Sequence, residues 1–124
     1  MAKGDLTLLT GKWDIVKAES DGEDWSNPYK WAKFEIAAGG KYTFAMVAVG
    51  EESGTITVDS EKNPKEMDLM AATGLAKNQV QEAIYKLEGD ELMICFSMIY
   101  GRRPTEFQTK PDSWRVLLTY KRKK

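Results

Sequence analysis

Turn-forming residues punctuate this chain about every ten positions, the spacing of an all-β barrel or sandwich. Asp21-Gly22, Gly39-Gly40, the stretch from Gly50 to Gly54, Asn63-Pro64, Gly74, Gly89-Asp90 and Pro111-Asp112 mark the breaks. Between them lie eight short runs rich in β-branched and aromatic residues, which suit a pleated, half-buried surface. The runs are 11–18, 31–37, 41–49, 54–60, 66–72, 80–87, 91–98 and 113–122, and residues 5–10 read as a short helical lead-in. Alternation is clearest in the third, fourth and last. Tyr42, Phe44 and Met46 share one strand face, Ile56 and Val58 another, and Val116, Leu118 and Tyr120 a third, because side chains two apart point the same way.

Eight consecutive strands joined by short links favour up-and-down neighbours, and closing them into a barrel removes both sheet edges. The expected fold is therefore all-β, an eight-stranded antiparallel up-and-down barrel forming one domain over residues 1–124. A domain of this size buries roughly two-thirds of its unfolded surface and needs no disulfide staple; the single Cys95 could not form an intramolecular one. A closed barrel also sorts the links by end. Those at 38–40, 61–65 and 88–90 are tight and fall at one end, whereas the two longest, 19–30 and 99–112, fall at the other. One closed end and one end carrying long loops is the layout of a container with a mouth, and long loops on a rigid scaffold are where binding usually resides.

Gly11-Lys12-Trp13 opens the first strand and looks like the Gly-x-Trp signature of lipocalins. Further segments fit a narrower pattern in order: Leu9-Thr10, Glu19-Ser20-Asp21-Gly22, Phe34, Asp59, Pro64-Lys65-Glu66-Met67-Asp68-Leu69, Ile84-Tyr85-Lys86-Leu87-Glu88-Gly89-Asp90, Leu92, Cys95, Arg103-Pro104-Thr105-Glu106-Phe107 and Arg122. Together, from about residue 6 to 122, they resemble a family of uncharacterised lipocalin-like domains common in planctomycete and related environmental bacteria. The resemblance implies a lipocalin-like barrel and carries no activity, cofactor or catalytic residue with it. It also implies export for many members. The opening Met1-Ala2-Lys3-Gly4-Asp5 departs from this, lacking the apolar core and cleavage site of a signal peptide, so the chain as given is expected to be soluble and cytoplasmic.

Composition narrows the function classes. With 18 basic and 19 acidic side chains the net charge is −1, against a bulk electrostatic grip on nucleic acid. The one basic run, Lys121-Arg122-Lys123-Lys124, reads as a solvated terminus. No apolar run approaches the length of a membrane-spanning helix. The chain has no histidine, which removes the commonest general base and every Ser-His or Cys-His nucleophile pair. It also leaves zinc poorly served. Asp21, Glu23 and Asp24 lie close together but lack the calcium-loop pattern and read as a solvated turn. Cys95, between Ile94 and Phe96, reads as a small buried hydrophobe. No cofactor, metal or catalytic residue is expected.

Antiparallel closure brings the end of the last strand beside the start of the first, so Arg122 is expected over Trp13 at the closed end. Phe34, Phe44, Met46, Tyr85, Phe96 and Tyr120 are candidate interior residues, and Trp25, Tyr29, Trp31, Arg102, Arg103 and Phe107 sit in or beside the long loops. From these, a ligand site is expected at Trp25, Tyr29, Phe44, Met46, Phe96, Arg103 and Phe107, with Arg103 facing an acidic head. The leading reading is a small-molecule binding module for an apolar or amphipathic ligand. The alternatives are a packed interaction or structural domain whose aromatics fill the interior, with Arg103 paired to Glu106 or Asp112, and, further back, an enzyme using mouth carboxylates such as Asp68 or Glu82.

Overall fold

The computed structural model of the chain describes residues 6–20, 22–25, 32–46, 50–73, 78–97, 102–109 and 115–123. A one-turn helix, α1 (Leu6–Leu9), leads into nine strands. These are β1 (Gly11–Ser20), β2 (Glu23–Asp24), β3 (Lys33–Ile36), β4 (Lys41–Met46), β5 (Gly50–Asp59), β6 (Lys65–Ala71), β7 (Val80–Glu88), β8 (Glu91–Ser97) and β9 (Arg115–Arg122). All pairings are antiparallel, in the order β1-β3-β4-β5-β6-β7-β8-β9, and β9 returns to pair with β1. The result is a closed eight-strand barrel, with β2 as a two-residue addition beside the end of β1.

Closure depends on irregular positions in β1 and β5. The β1–β9 register shifts between Ile15 and Lys17, which turns Val16 out to 52% exposure. The bulge resets the pleat, so Trp13 and Ile15 before it and Ala18 after it all face the core. In β5, Gly54 sits so close to β6 that a Cβ there would collide with the Met70 carbonyl oxygen and the Ala71 Cα. The stretch from Gly50 to Gly54, read from sequence as a break, is therefore strand. Gly54 serves close backbone approach within the ladder rather than a turn. The pair Glu23–Asp24, read as solvated turn, likewise forms a short ladder with Glu19 and Ser20.

α1 covers the end where the links are tight. Leu9 is fully buried and its carbonyl accepts a 2.9 Å hydrogen bond from Trp13 Nε1. The Arg122 guanidinium lies over the Trp13 ring, 4.4 Å from its centroid, and donates to the carbonyls of Thr10 (2.9 Å) and Leu8 (2.6 Å). Asp90 flanks it at 3.6 Å. Gly11, at φ +143°, leaves room for this arginine, since a Cβ would press within 2.7 Å of Nη1. Glycine and tryptophan at the start of β1 thus belong to one closure built with the last strand. No helix among the described residues is long and apolar enough to cross a membrane.

Candidate functional site at the barrel mouth

Alternation and register together identify the inner wall. From the α1 end toward the other, β4 contributes Tyr42 and Phe44, β5 Val58, Ile56, Gly54 and Glu52, and β7 Leu87, Tyr85, Ala83 and Gln81. On β8 the inward residues are Leu92, Ile94 and Phe96, facing Tyr120, Leu118 and Val116 of β9.

The inner residues are graded along the axis. The α1 half is filled by large side chains: Trp13, Ile36, Tyr42, Met67, Tyr85 and Leu92 are essentially inaccessible to solvent. Phe34 holds the middle of this packing, stacked on Tyr120 at 5.1 Å and edge-on to Phe44 at 6.3 Å. Toward the mouth the inward positions mix small residues, Ala18, Ser20, Gly54, Ala71 and Ala83, with the buried Leu69, Val116 and Leu118. Of the other larger groups here, Phe44, Glu52, Gln81 and Phe96 are only partly buried. β4 and β8 lie four strands apart around the eight-strand ring, so Phe44 and Phe96 occupy opposite walls.

Glu52 is the partly buried inward-facing carboxylate among the described strand residues; Glu23, paired with Ser20 at the end of β1, shares that face but is exposed. Glu52 stands directly opposite Phe44 in the β4–β5 ladder and accepts a 2.8 Å hydrogen bond from the Tyr42 hydroxyl. Burial holds the Tyr42 proton far above the ordinary tyrosine range, reinforced by the hydrogen bond to Glu52 and by its charge. At neutral pH Tyr42 therefore remains a donor and fixes the orientation of the carboxylate. Acid–base chemistry by a carboxylate pair would need a second carboxylate beside Glu52, and Glu23, the other carboxylate on that face among the described residues, is exposed on the added strand β2. Among them, no three histidine, cysteine or carboxylate side chains are grouped to hold a metal ion.

The described part of the last long loop runs elsewhere than expected. Residues 102–109 cross the outside of the barrel as a strap instead of rimming its mouth. Arg103 donates to the Met67 and Ala83 carbonyls (3.3 and 2.8 Å) and pairs with Asp68 at 2.7 Å, with Glu66 and Glu82 at 3.6 and 3.7 Å. Those three carboxylates lie on the outward face, because Met67, Leu69 and Ala71 between and beyond them point into the core. Farther along, the Gln108 carbonyl meets Cys95 Sγ at 3.9 Å. The Thr109 hydroxyl donates to Glu19 at 2.5 Å and accepts from the Gly22 amide at 2.8 Å. Ser97 also donates to the Arg102 carbonyl.

The physical cause of the strap lies in β7 and β8. Ala83-Ile84-Tyr85 and Ile94-Cys95 are buried without alternation, so these strands are apolar on both faces and both must be covered. Pro104, itself fully buried, belongs to that cover. Cys95 lies beneath it facing outward; burial pushes its thiol up to about 11, with smaller opposing effects from Arg115 and the Gln108 backbone and a small raising effect from Glu19.

The residues expected at the site are therefore divided. Phe44 and Phe96 face the mouth half of the interior. Trp25, 43% exposed, follows β2 at the mouth end, its amide bonded to the Ala18 carbonyl at 2.9 Å. Arg103 and half-buried Phe107 belong to the outer strap, and Arg103 pairs with Glu66, Asp68 and Glu82 rather than with Glu106, while Asp112 lies outside the described residues. Met46 ends β4, but its side chain, like all of Tyr29 and Trp31, lies outside the described residues. Glu52, Gln81 and Ser20 were absent from the expected site. The signal for Glu52 was available: continuing the alternation of Val58 and Ile56 backward reaches Gly54 and then Glu52.

A concavity of about 230 Å³ lies on the outer wall of β1, β3 and β4. Lys12, Asp14, Lys33 and Glu35 line it as cross-strand pairs of opposite charge, the ordinary stabilisation of an exposed sheet face.

No protein-family model matches the chain, and no curated protein is similar enough to count as a relative. Among solved structures, the fold is similar to that of a DUF4847 family protein from Bacteroides vulgatus ATCC 8482, at TM-score 0.58 and 13% identity, with 97% of each chain covered. At that identity the likeness speaks to the fold alone.

Proposed function

We propose that this chain is a lipocalin-like small-molecule binding module that takes an apolar or amphipathic ligand into the mouth half of its barrel. The observation that carries the reading is the gradient along the inner wall. Large buried side chains and a stacked aromatic cluster fill the α1 half, while the other half sets alanine, serine and glycine positions and the partly exposed Phe44 and Phe96 beside buried Leu69, Val116 and Leu118. An eight-stranded barrel is just wide enough to be filled by side chains or to hold one small ligand. A ligand would lie against these small side chains, between Phe44 and Phe96. The acidic head once read from Arg103 finds no support here, since that guanidinium is held on the outer wall by three carboxylates.

The test is titration of the purified protein with an apolar fluorescent dye, read through tryptophan quenching, alongside native mass spectrometry of freshly isolated material. Micromolar binding, about −8 kcal/mol, is expected, with loss on Phe96→Ala. A protein that binds no apolar probe and carries no small molecule would be a packed interaction domain instead.

A further inference from the structure

We infer that the polar end of the ligand is a protonated amine, received by Glu52. This deepens the binding-module reading above and rests on it. The carboxylate is inward-facing, partly buried, and oriented by a 2.8 Å bond from Tyr42 that occupies only Oε2. An ionised carboxylate offers about four lone-pair sites, and Tyr42 is its partner among the described residues. Among the described residues, the cations whose strand positions face inward, Lys65 and Arg122, are both at the α1 end, on the far side of the packed aromatic half. Among the described residues, the mouth half therefore carries the Glu52 carboxylate within a largely apolar wall with no inward cation beside it. In such surroundings a charge-assisted bond to an N–H donor is strengthened and a second carboxylate is repelled.

The neighbours of Glu52 fit the same class of ligand. Phe44 stands directly across the ladder, so its ring is placed to offer an ammonium a cation–π contact beside the carboxylate. Phe96 on the opposite wall suits the apolar body of the ligand. Gln81, also inward and partly buried, can accept or donate a further hydrogen bond.

The experiment compares octylamine, octanol and octanoate near neutral pH as competitors for a bound apolar dye, on the full chain and on Glu52→Gln and Tyr42→Phe. Octylamine should bind roughly ten- to a hundredfold tighter than octanol, and octanoate more weakly than either. Glu52→Gln, which keeps the size and the bond from Tyr42, should bring octylamine down to the affinity of octanol while leaving octanol unchanged. Tyr42→Phe should give a smaller loss confined to octylamine. Equal binding of amine and alcohol, or a preference for octanoate, overturns the amine assignment while leaving the binding module standing. So does an amine preference that survives Glu52→Gln. Failure of all three competitors and of the dye overturns the binding reading itself. Thermal unfolding of each variant separates lost affinity from lost fold.

Discussion

Arg122 lies across the face of Trp13 at 4.4 Å while donating to the carbonyls of Leu8 and Thr10, so one side chain joins the last strand, the first strand and α1. Those carbonyls sit at the end of a one-turn helix, where backbone acceptors lack intrahelical partners. Arg122→Ala removes the cation–π contact and leaves the acceptors to water. The expected loss is roughly 1–3 kcal/mol in urea unfolding. Arg122→Lys should recover only part of it, since an ammonium cannot reproduce the planar fork. Affinity for a ligand at the mouth should not change in either variant. A shifted affinity at unchanged stability would show that this end takes part in binding.

Gly54 offers a sharper test of the barrel geometry. Its missing Cβ is where the Met70 carbonyl and Ala71 Cα already stand, and backbone cannot rotate away as a side chain can. Gly54→Ala should cost about 1–3 kcal/mol or more by overpacking, whereas Thr55→Ala, on the exposed face of the same strand, should stay within about 1 kcal/mol. Equal effects in the two variants would contradict the close approach of β5 and β6.

How far the sequence foretold this structure depended on which residue signals had a single physical meaning. Asn63-Pro64 and Gly89-Asp90 lie in tight links, and Trp13 and Arg122 come together through strand closure alone. Gly50 and Gly54 were ambiguous, since glycine marks both turns and points of backbone contact. Reading them as a turn removed Glu52 from the inner wall. The second misreading came from loop length. A long loop suggests a rim, yet residues 102–109 were needed to cover Ile84 and Cys95. Consecutive apolar residues in β7 and β8 already indicated that those strands had an outer face requiring cover.

The strap gives Cys95 a measurable signature. Burial holds the thiol proton, raising its titration from about 9.0, the unfolded value, to about 11. Between those values the unfolded chain has released a proton that the folded chain retains, so stability falls as pH rises. Below about pH 9 this group contributes no slope. Cys95→Ala should flatten the decline between about pH 9 and 11, and a wild-type curve already flat there would remove the inference.

Arg103 should control access to that thiol without touching the ligand. Its guanidinium pairs with Asp68, Glu66 and Glu82 and anchors the strap between β6 and β7. Arg103→Ala leaves three carboxylates facing one another, and the strap should open more often. Alkylation of Cys95 by iodoacetamide at pH 8 should then accelerate at least severalfold, while acidic and neutral apolar probes keep their relative affinities. A selective loss of acidic probes would instead return Arg103 to the ligand site.

The mouth can be closed by one substitution at its rim. Ser20 pairs with buried Val116 and follows inward-facing Ala18 by two positions, so its side chain points into the mouth half while remaining partly exposed. A phenyl group there can be accommodated at the edge without entering the packed α1 half. Ser20→Phe should therefore change stability by no more than about 1 kcal/mol, less than overpacking a closed core. It should weaken apolar probes at least tenfold, about 1.4 kcal/mol in binding, by occupying space the ligand needs. The paired measurement is urea unfolding and dye titration on the same preparation. Undiminished binding at unchanged stability would mean that the probe does not pass Ser20, and the outer groove at Lys12 and Glu35 would become the next place to look.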